Sequence, residues 1–267
     1  MKQLLILFIA LISFLSSCKS NFEKVQKSKD FPYKLTKADE YYDRKQWTKA
    51  NQLYEELLTV YKGTKNFEII YYKYAFTFYN NKDFLAASYH FKNFADLFPK
   101  SPKTEECEFL NSLCLYKISP DYTLDQSNTI KSIGELQSFV NTHAESPHVK
   151  EANDLIDELR AKLEVKDTYG AELYYKIGEY KAASVAFEQI IRKYPDSKMV
   201  DYYSYMIMKS KYTFAKNSIP EKQNDRFGQI LTDYADFVRK YPKSPYLSEV
   251  EKINALSLAS LKKIANK

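Results

Sequence analysis

The sequence predicts an all-α solenoid of about five helix pairs closed by a C-terminal capping helix. Three observations carry this. One amphipathic pattern recurs. Tyr180, Ala183, Phe187 and Ile190 fall at i, i+3, i+7 and i+10, which is one helical face. The same spacing returns at Trp47, Ala50, Tyr54 and Leu57 and at Phe84, Ala87, Phe91 and Phe94, with weaker copies at Thr129, Ser132, Leu136, Phe139 and at Phe227, Ile230, Tyr234, Phe237. Second, four copies end in matching stops that begin at Phe98, His143, Tyr194 and Tyr241, which are 45, 51 and 47 residues apart, and Tyr61 starts a Pro-free counterpart 37 residues before Phe98. Proline cannot continue a helix and pushes the residue before it towards an extended conformation. Repeats of this period mean stacked helical units. Third, glycine is scarce, at five residues against 24 Tyr and 17 Phe, which argues against tight-turned β structure and glycine-rich nucleotide loops.

In chain order, residues 1–17 form a targeting segment. Lys2 is its charged start, and the apolar run Leu4 to Phe14 is too short to span a membrane as a helix. It ends Leu15-Ser16-Ser17-Cys18, which resembles a lipobox, so Cys18 is the expected lipidation site and first mature residue. The position after it is Lys19 and not Asp, which favours the outer membrane. Residues 18–30 are polar and are expected to form a flexible tether, followed by three helix pairs over 31–147 and two pairs with a capping helix over 148–267.

Within these, the second pair turns at Asn80-Asn81-Lys82-Asp83. The third has an enlarged turn, Ile118 to Asp125. Ser146-Pro147 is expected to cap a new helix that keeps its apolar spacing to about Lys176, as one long helix or two with a bend near Asp167-Thr168. Gly178 permits the following turn. A loop is expected around Ile219-Pro220, then a helix over 223–240 and a last one over 246–264.

The formal charge of +6 becomes +5 without Lys2 and is mixed along the helices, which speaks for a solvated surface and against nucleic-acid binding. Cys107 and Cys114, seven apart on one helix, are separated by a rise of about 10 Å, too far for a disulfide, and are expected as buried thiols. His143 and His148 lack a completing ligand set and are read as solvated loop residues. No metal site, cofactor loop or nucleophile with a placed base is present, so an enzyme is not expected.

The pattern Trp47, Ala50, Tyr54 or Phe84, Ala87, Phe91, with Ala38 and Tyr41 or Ala75 and Phe78 preceding, resembles the tetratricopeptide repeat, whose terminal Pro is matched by Pro99 and Pro195. Five such units behind a lipobox, with an insertion in the third and a long helix in the fourth, resemble the BamD family of outer-membrane assembly lipoproteins. The repeats are degenerate: Ser132 and Ile230 replace the small Ala, and Lys62 replaces the first Pro. The resemblance implies periplasmic exposure, docking on a BamA-like barrel subunit, and recognition of unfolded outer-membrane proteins by their C-terminal signal.

Mapped through that resemblance, the first helices of units one to three bring three rows to a peptide-binding groove: Tyr42, Tyr79 and Tyr116; Leu35, Tyr72 and Phe109; Phe76 and Leu113. Neighbours in each row are 37 residues apart. An extended peptide presents alternate side chains on one face, which such rows could receive. The C-terminal units are expected to dock the barrel subunit, with Arg192, Lys193, Arg239 and Lys240 as the candidate contacts. Two other readings compete: a scaffold lipoprotein of another envelope complex, of cell-wall or Tol type, and a SusD-like glycan-binding lipoprotein, for which the chain is too short.

Overall fold

The computed structural model describes residues 21–266, so Cys18 lies outside the described residues. Among these the chain is all helical, a tetratricopeptide-type succession of helix pairs. The first pair is α1 (Phe31–Asp43) and α2 (Trp47–Tyr61), the second α3 (Phe67–Asn80) and α4 (Phe84–Leu97), the third α5 (Thr104–Lys117) and α6 (Ser127–Thr142). Then come α7 (Val149–Lys176), α8 (Tyr180–Lys193), α9 (Val200–Lys216), α10 (Pro220–Lys240) and the last helix α11 (Leu247–Ala265). Helix α7 is one helix of 28 residues, without the break considered at Asp167-Thr168. Helix α10 starts earlier than expected because Pro220 sits at its first position, where its missing N–H is no loss.

Two kinds of turn alternate, and each has a physical cause. Between first and second helices of a pair, Lys45, Lys82 and Gly178 hold positive φ of 58°, 63° and 90°. This left-handed residue lets two N–H groups return to the helix end. Lys45 N–H donates to Tyr42 O at 2.9 Å and Gln46 N–H to Tyr41 O at 2.8 Å. The pattern repeats at Lys82 to Tyr79 and Asp83 to Phe78, and at Gly178 to Tyr175 and Glu179 to Tyr174. Between pairs, the recurrent serine of each stop starts the next helix. The Oγ atoms of Ser101, Ser146, Ser197 and Ser244 accept from the N–H two residues on, at 3.1, 3.2, 2.9 and 3.2 Å. Three of these serines also donate to an acid on the preceding first helix: Ser101 to Glu68, Ser197 to Glu164 and Ser244 to Asp201. At the second stop His143 makes that link, to Glu108.

The chain divides into two compact units, one through Leu159 and one from Arg160. The division falls inside α7, later than the expected 147/148 boundary. The reason is packing: Ala152, Ile156 and Leu159 complete the core of the third pair with Phe109, Leu136 and Phe139. The repeated small residues do what their spacing implies, since Ala50, Ala87 and Ala183 are 0% exposed. Ser132 fills the same place on α6 and satisfies its hydroxyl on Ser112 O at 3.2 Å. Cys107 and Cys114 are buried free thiols beside Phe91 and Phe94. The second unit has two cores, one around Phe187 and Tyr203 and one around Phe227, Ile230 and Phe237.

One expectation changes at the N-terminus. The tether expected over 18–30 is not free throughout, because residues 21–27 are helical and Val25 is 2% exposed in the first core. Lys34, itself buried, fastens this segment: its ammonium donates to Gln26 O at 2.8 Å and pairs with Glu56 at 2.7 Å. Only Phe22 and Val25 are apolar there, too few to reveal a helical period.

Candidate peptide-binding face and partner surfaces

The three rows lie on α1, α3 and α5 of the first unit, but few of their rings are open. Tyr42 meets Trp47 edge-on at 5.1 Å and Tyr54 at 6.2 Å, and Leu35 packs on the same core. Phe76 lies 4.7 Å from Tyr72 and 5.1 Å from Phe91. Tyr72 reaches Phe94 at 5.8 Å, and Tyr79 reaches Phe84 at 5.6 Å. Leu113 packs partly buried between the second and third cores. Seven of the eight residues are therefore half-buried, partly packed and partly accessible.

Phe109 departs from the expectation. It is 3% exposed, stacked on His148 at 4.3 Å and tilted against Phe139 at 5.4 Å. It is core and cannot receive a peptide side chain. The same contact corrects the reading of the histidines. His148 covers Phe109, and His143 lies half-buried against Phe139 and Glu108. Both do lie in the segment before α7, but each is held by a ring contact and is not freely solvated.

The outer side of the face is polar. Tyr72 OH donates to Glu106 at 2.7 Å, and Tyr116 OH to both oxygens of Glu158 at 2.8 Å. Lys73 pairs with Asp39 at 2.7 Å, and the Lys103 ammonium lies 4.3 Å over the Tyr72 ring. Burial, then the Glu106 hydrogen bond, pushes the Tyr72 phenol up; at Tyr116 the Glu158 bond is the larger cause. Both stay protonated donors. The face is thus an alternation of ring edges, carboxylates and ammonium groups, more polar than the apolar and aromatic rows alone imply. Such a face can hold an extended chain by ring contact and by hydrogen bonds to its backbone.

These acids and lysines were missed in the sequence, although a signal existed. Lys73 is 34 residues after Asp39, and Tyr72 is 34 before Glu106. One repeat of 37 less one helical turn joins neighbouring first helices. Tyr116 and Glu158 are 42 apart because the enlarged third turn lies between them.

In the second unit, Arg192, Lys193, Arg239 and Lys240 are all exposed in the last turns of α8 and α10. Lys193 is tied to Asp167 at 2.8 Å and Arg239 to Asp236 at 2.8 Å, which depresses the Asp236 carboxyl. Arg192 and Lys193 border a groove of about 690 Å³ between α7 and α8, with Ala171 and Ile190 at its floor. Val165 and Leu173 are exposed on α7, and Ile177 in the turn that follows it. The apolar spacing along α7 reaches Leu173, yet Leu173 is exposed.

Burial pushes the Cys107 and Cys114 thiols up to about 12, which removes them as nucleophiles. Among the described residues no group of His, Cys, Asp and Glu is arranged to hold a metal ion. No helix among them is long and apolar enough to cross a membrane.

Comparison with known proteins gives a family match over most of the chain. The family model described as outer membrane lipoprotein, YfiO, matches residues 28–183 and 171–262. A putative outer membrane protein assembly factor BamD of Aquifex aeolicus (strain VF5) is 22% identical over 132 residues. That match covers 49% of this chain and 43% of the relative, so less than half of that relative's length is spanned. Among solved structures, a Rap conjugation gene regulator of plasmid pLS20 in complex with the Phr* peptide is 13% identical, with a TM-score of 0.34, over 89% of this chain and 75% of that one.

Proposed function

Because the chain belongs to the YfiO family of outer membrane lipoproteins, we propose that it is a lipid-anchored scaffold and substrate-recognition subunit in outer-membrane β-barrel protein assembly. Lipid on Cys18 holds it at the outer membrane, facing the periplasm. The first unit receives the C-terminal signal of unfolded outer-membrane proteins. The second unit docks a BamA-like barrel subunit.

The observation that carries this reading is the half-buried aromatic face of α1, α3 and α5, with accessible carboxylates and lysines along it. Rings packed on one side are already ordered, so a peptide gains contact area at little entropic cost. The docking role rests on less. Lys193 and Arg239 already have partners, and basic residues in the last turn complement helix ends by default. Arg192 and Lys240, with exposed Leu173 and Ile177, are the parts best placed for a partner.

The test is purification of the tagged full-length lipoprotein from detergent-solubilised membranes. A BamA-like barrel protein is expected to accompany it, and reversal of the four basic charges is expected to reduce that recovery. Recovery of cell-wall or Tol-type machinery in place of a barrel subunit would reject the reading.

A further inference from the structure

The helical segment at 21–27 enters the fold at a definite place. Phe22 packs edge-on against Tyr41, near the end of α1, at 5.5 Å. The Lys49 ammonium, on the first turn of α2, lies 5.9 Å from the Phe22 ring and 5.3 Å from that of Tyr41. Gln26 is instead held at the start of α1 by Lys34. The segment therefore runs antiparallel to α1, and its beginning lies at the α1–α2 turn. Four Cα steps separate Cys18 from Phe22, so whatever their conformation the two Cα atoms are at most about 15 Å apart.

The α1–α2 turn shares an edge with the α3–α4 turn and the α5–α6 loop. Asn51 of α2 donates to Thr77 of α3 at 2.7 Å, and the Lys117 ammonium of α5 lies 5.5 Å over the Phe84 ring of α4. Along this edge Arg44, Lys45 and Lys82 are exposed beside Asp43, Asp83, Asp121 and Asp125, and so are Leu85 at 66%, Leu124 at 59% and Ile130 at 61%. Trp47, half-buried, stands in the same turn region. Cations on flexible stems, single apolar side chains and an indole are the groups that suit a headgroup layer.

We propose that this turn edge of the first unit is a membrane-facing surface that rests on the phospholipid headgroup layer. The inference rests on the lipoprotein reading above: lipid on Cys18 and the turn edge are two parts of one attachment. A short link keeps this edge within reach of the bilayer that the lipid enters.

Trp47 is the one tryptophan of the chain, so its fluorescence reports this edge directly. The lipidated full-length protein is reconstituted into phosphatidylethanolamine–phosphatidylglycerol vesicles that carry a headgroup spin label. Trp47 emission is expected to be quenched several-fold more than that of a Trp47→Phe, Leu97→Trp protein, whose indole stands at the far end of α4, where Leu97 is 53% exposed. A variant with Arg44→Glu, Lys45→Glu and Lys82→Glu is expected to lose most of that quenching while still floating with the vesicles. Equal quenching at the two positions in protein that floats would overturn the inference and leave the anchor standing. Protein that fails to float at all would overturn both the anchor and this inference.

Discussion

Lys45, Lys82 and Gly178 occupy one conformational position with different side chains. The left-handed conformation costs a residue with a Cβ about 1–2 kcal/mol, and glycine nothing. A Cβ built on Gly178 meets no atom within 4 Å, so the cost of Gly178→Ala is backbone strain alone. Reduced freedom of the unfolded chain returns part of it. We expect Gly178→Ala to lower stability by about 1 kcal/mol, read by chemical denaturation, and Lys82→Gly to be near neutral or stabilising. A second residue sets a pH dependence. Burial lowers the pKa of His90 from its ordinary 6.5, among Phe78, Tyr74 and Tyr71. Below 6.5 the unfolded chain binds this proton more readily than the folded one. Its contribution to stability is therefore full above that pH and is lost as pH falls through the folded value. The stability difference between wild type and His90→Phe, measured across a pH series, is expected to shift against wild type as the pH drops below 6.5. A difference that stays constant would contradict the burial argument. Single residues also mark where sequence reading stopped. Phe109 and Tyr72 share a row by spacing, and nothing local separates them. His148, from the turn before the next first helix, closes over one and not the other.

At the scale of elements the sequence was most informative. A helix pair needs an apolar face, a small residue where helices meet and a stop, and all three recur at readable intervals. Helices α2, α4 and α8 begin and end within a few residues of their expected limits. The small residue is the most demanding part. Ala87 and Ala183 have no exposed surface, so extra volume must displace a neighbouring helix. Ala87→Leu and Ala183→Leu are each expected to cost about 1–3 kcal/mol. An unchanged melting temperature in both variants would mean the interface is looser than its packing. The segment at 21–27 was not legible, because what holds it is a lysine eight residues on and an acid on another helix. The same holds for the face on α1, α3 and α5. Its rings could be read from the 37-residue rows, whereas its carboxylates needed the distance between adjacent first helices.

At the scale of the whole molecule, the proposed function needs a receptor face in one unit, a docking surface in the other and an anchor at Cys18. It depends most on the first unit receiving an extended segment of an unfolded outer-membrane protein. The most direct measurement is binding of a synthetic C-terminal barrel-strand peptide to the unlipidated Cys18→Ala chain, with and without Tyr72→Ala, Tyr79→Ala and Tyr116→Ala together. Circular dichroism confirms first that both proteins remain helical. Each ring contact is worth about 1 kcal/mol, so loss of three is expected to weaken binding at least about tenfold. Tyr54 is buried on α2 with its hydroxyl on Asp39, away from any incoming chain. Tyr54→Phe is therefore expected to leave affinity unchanged. Equal affinity of the triple variant and the parent would contradict the account, and the rows would then serve packing between helices alone.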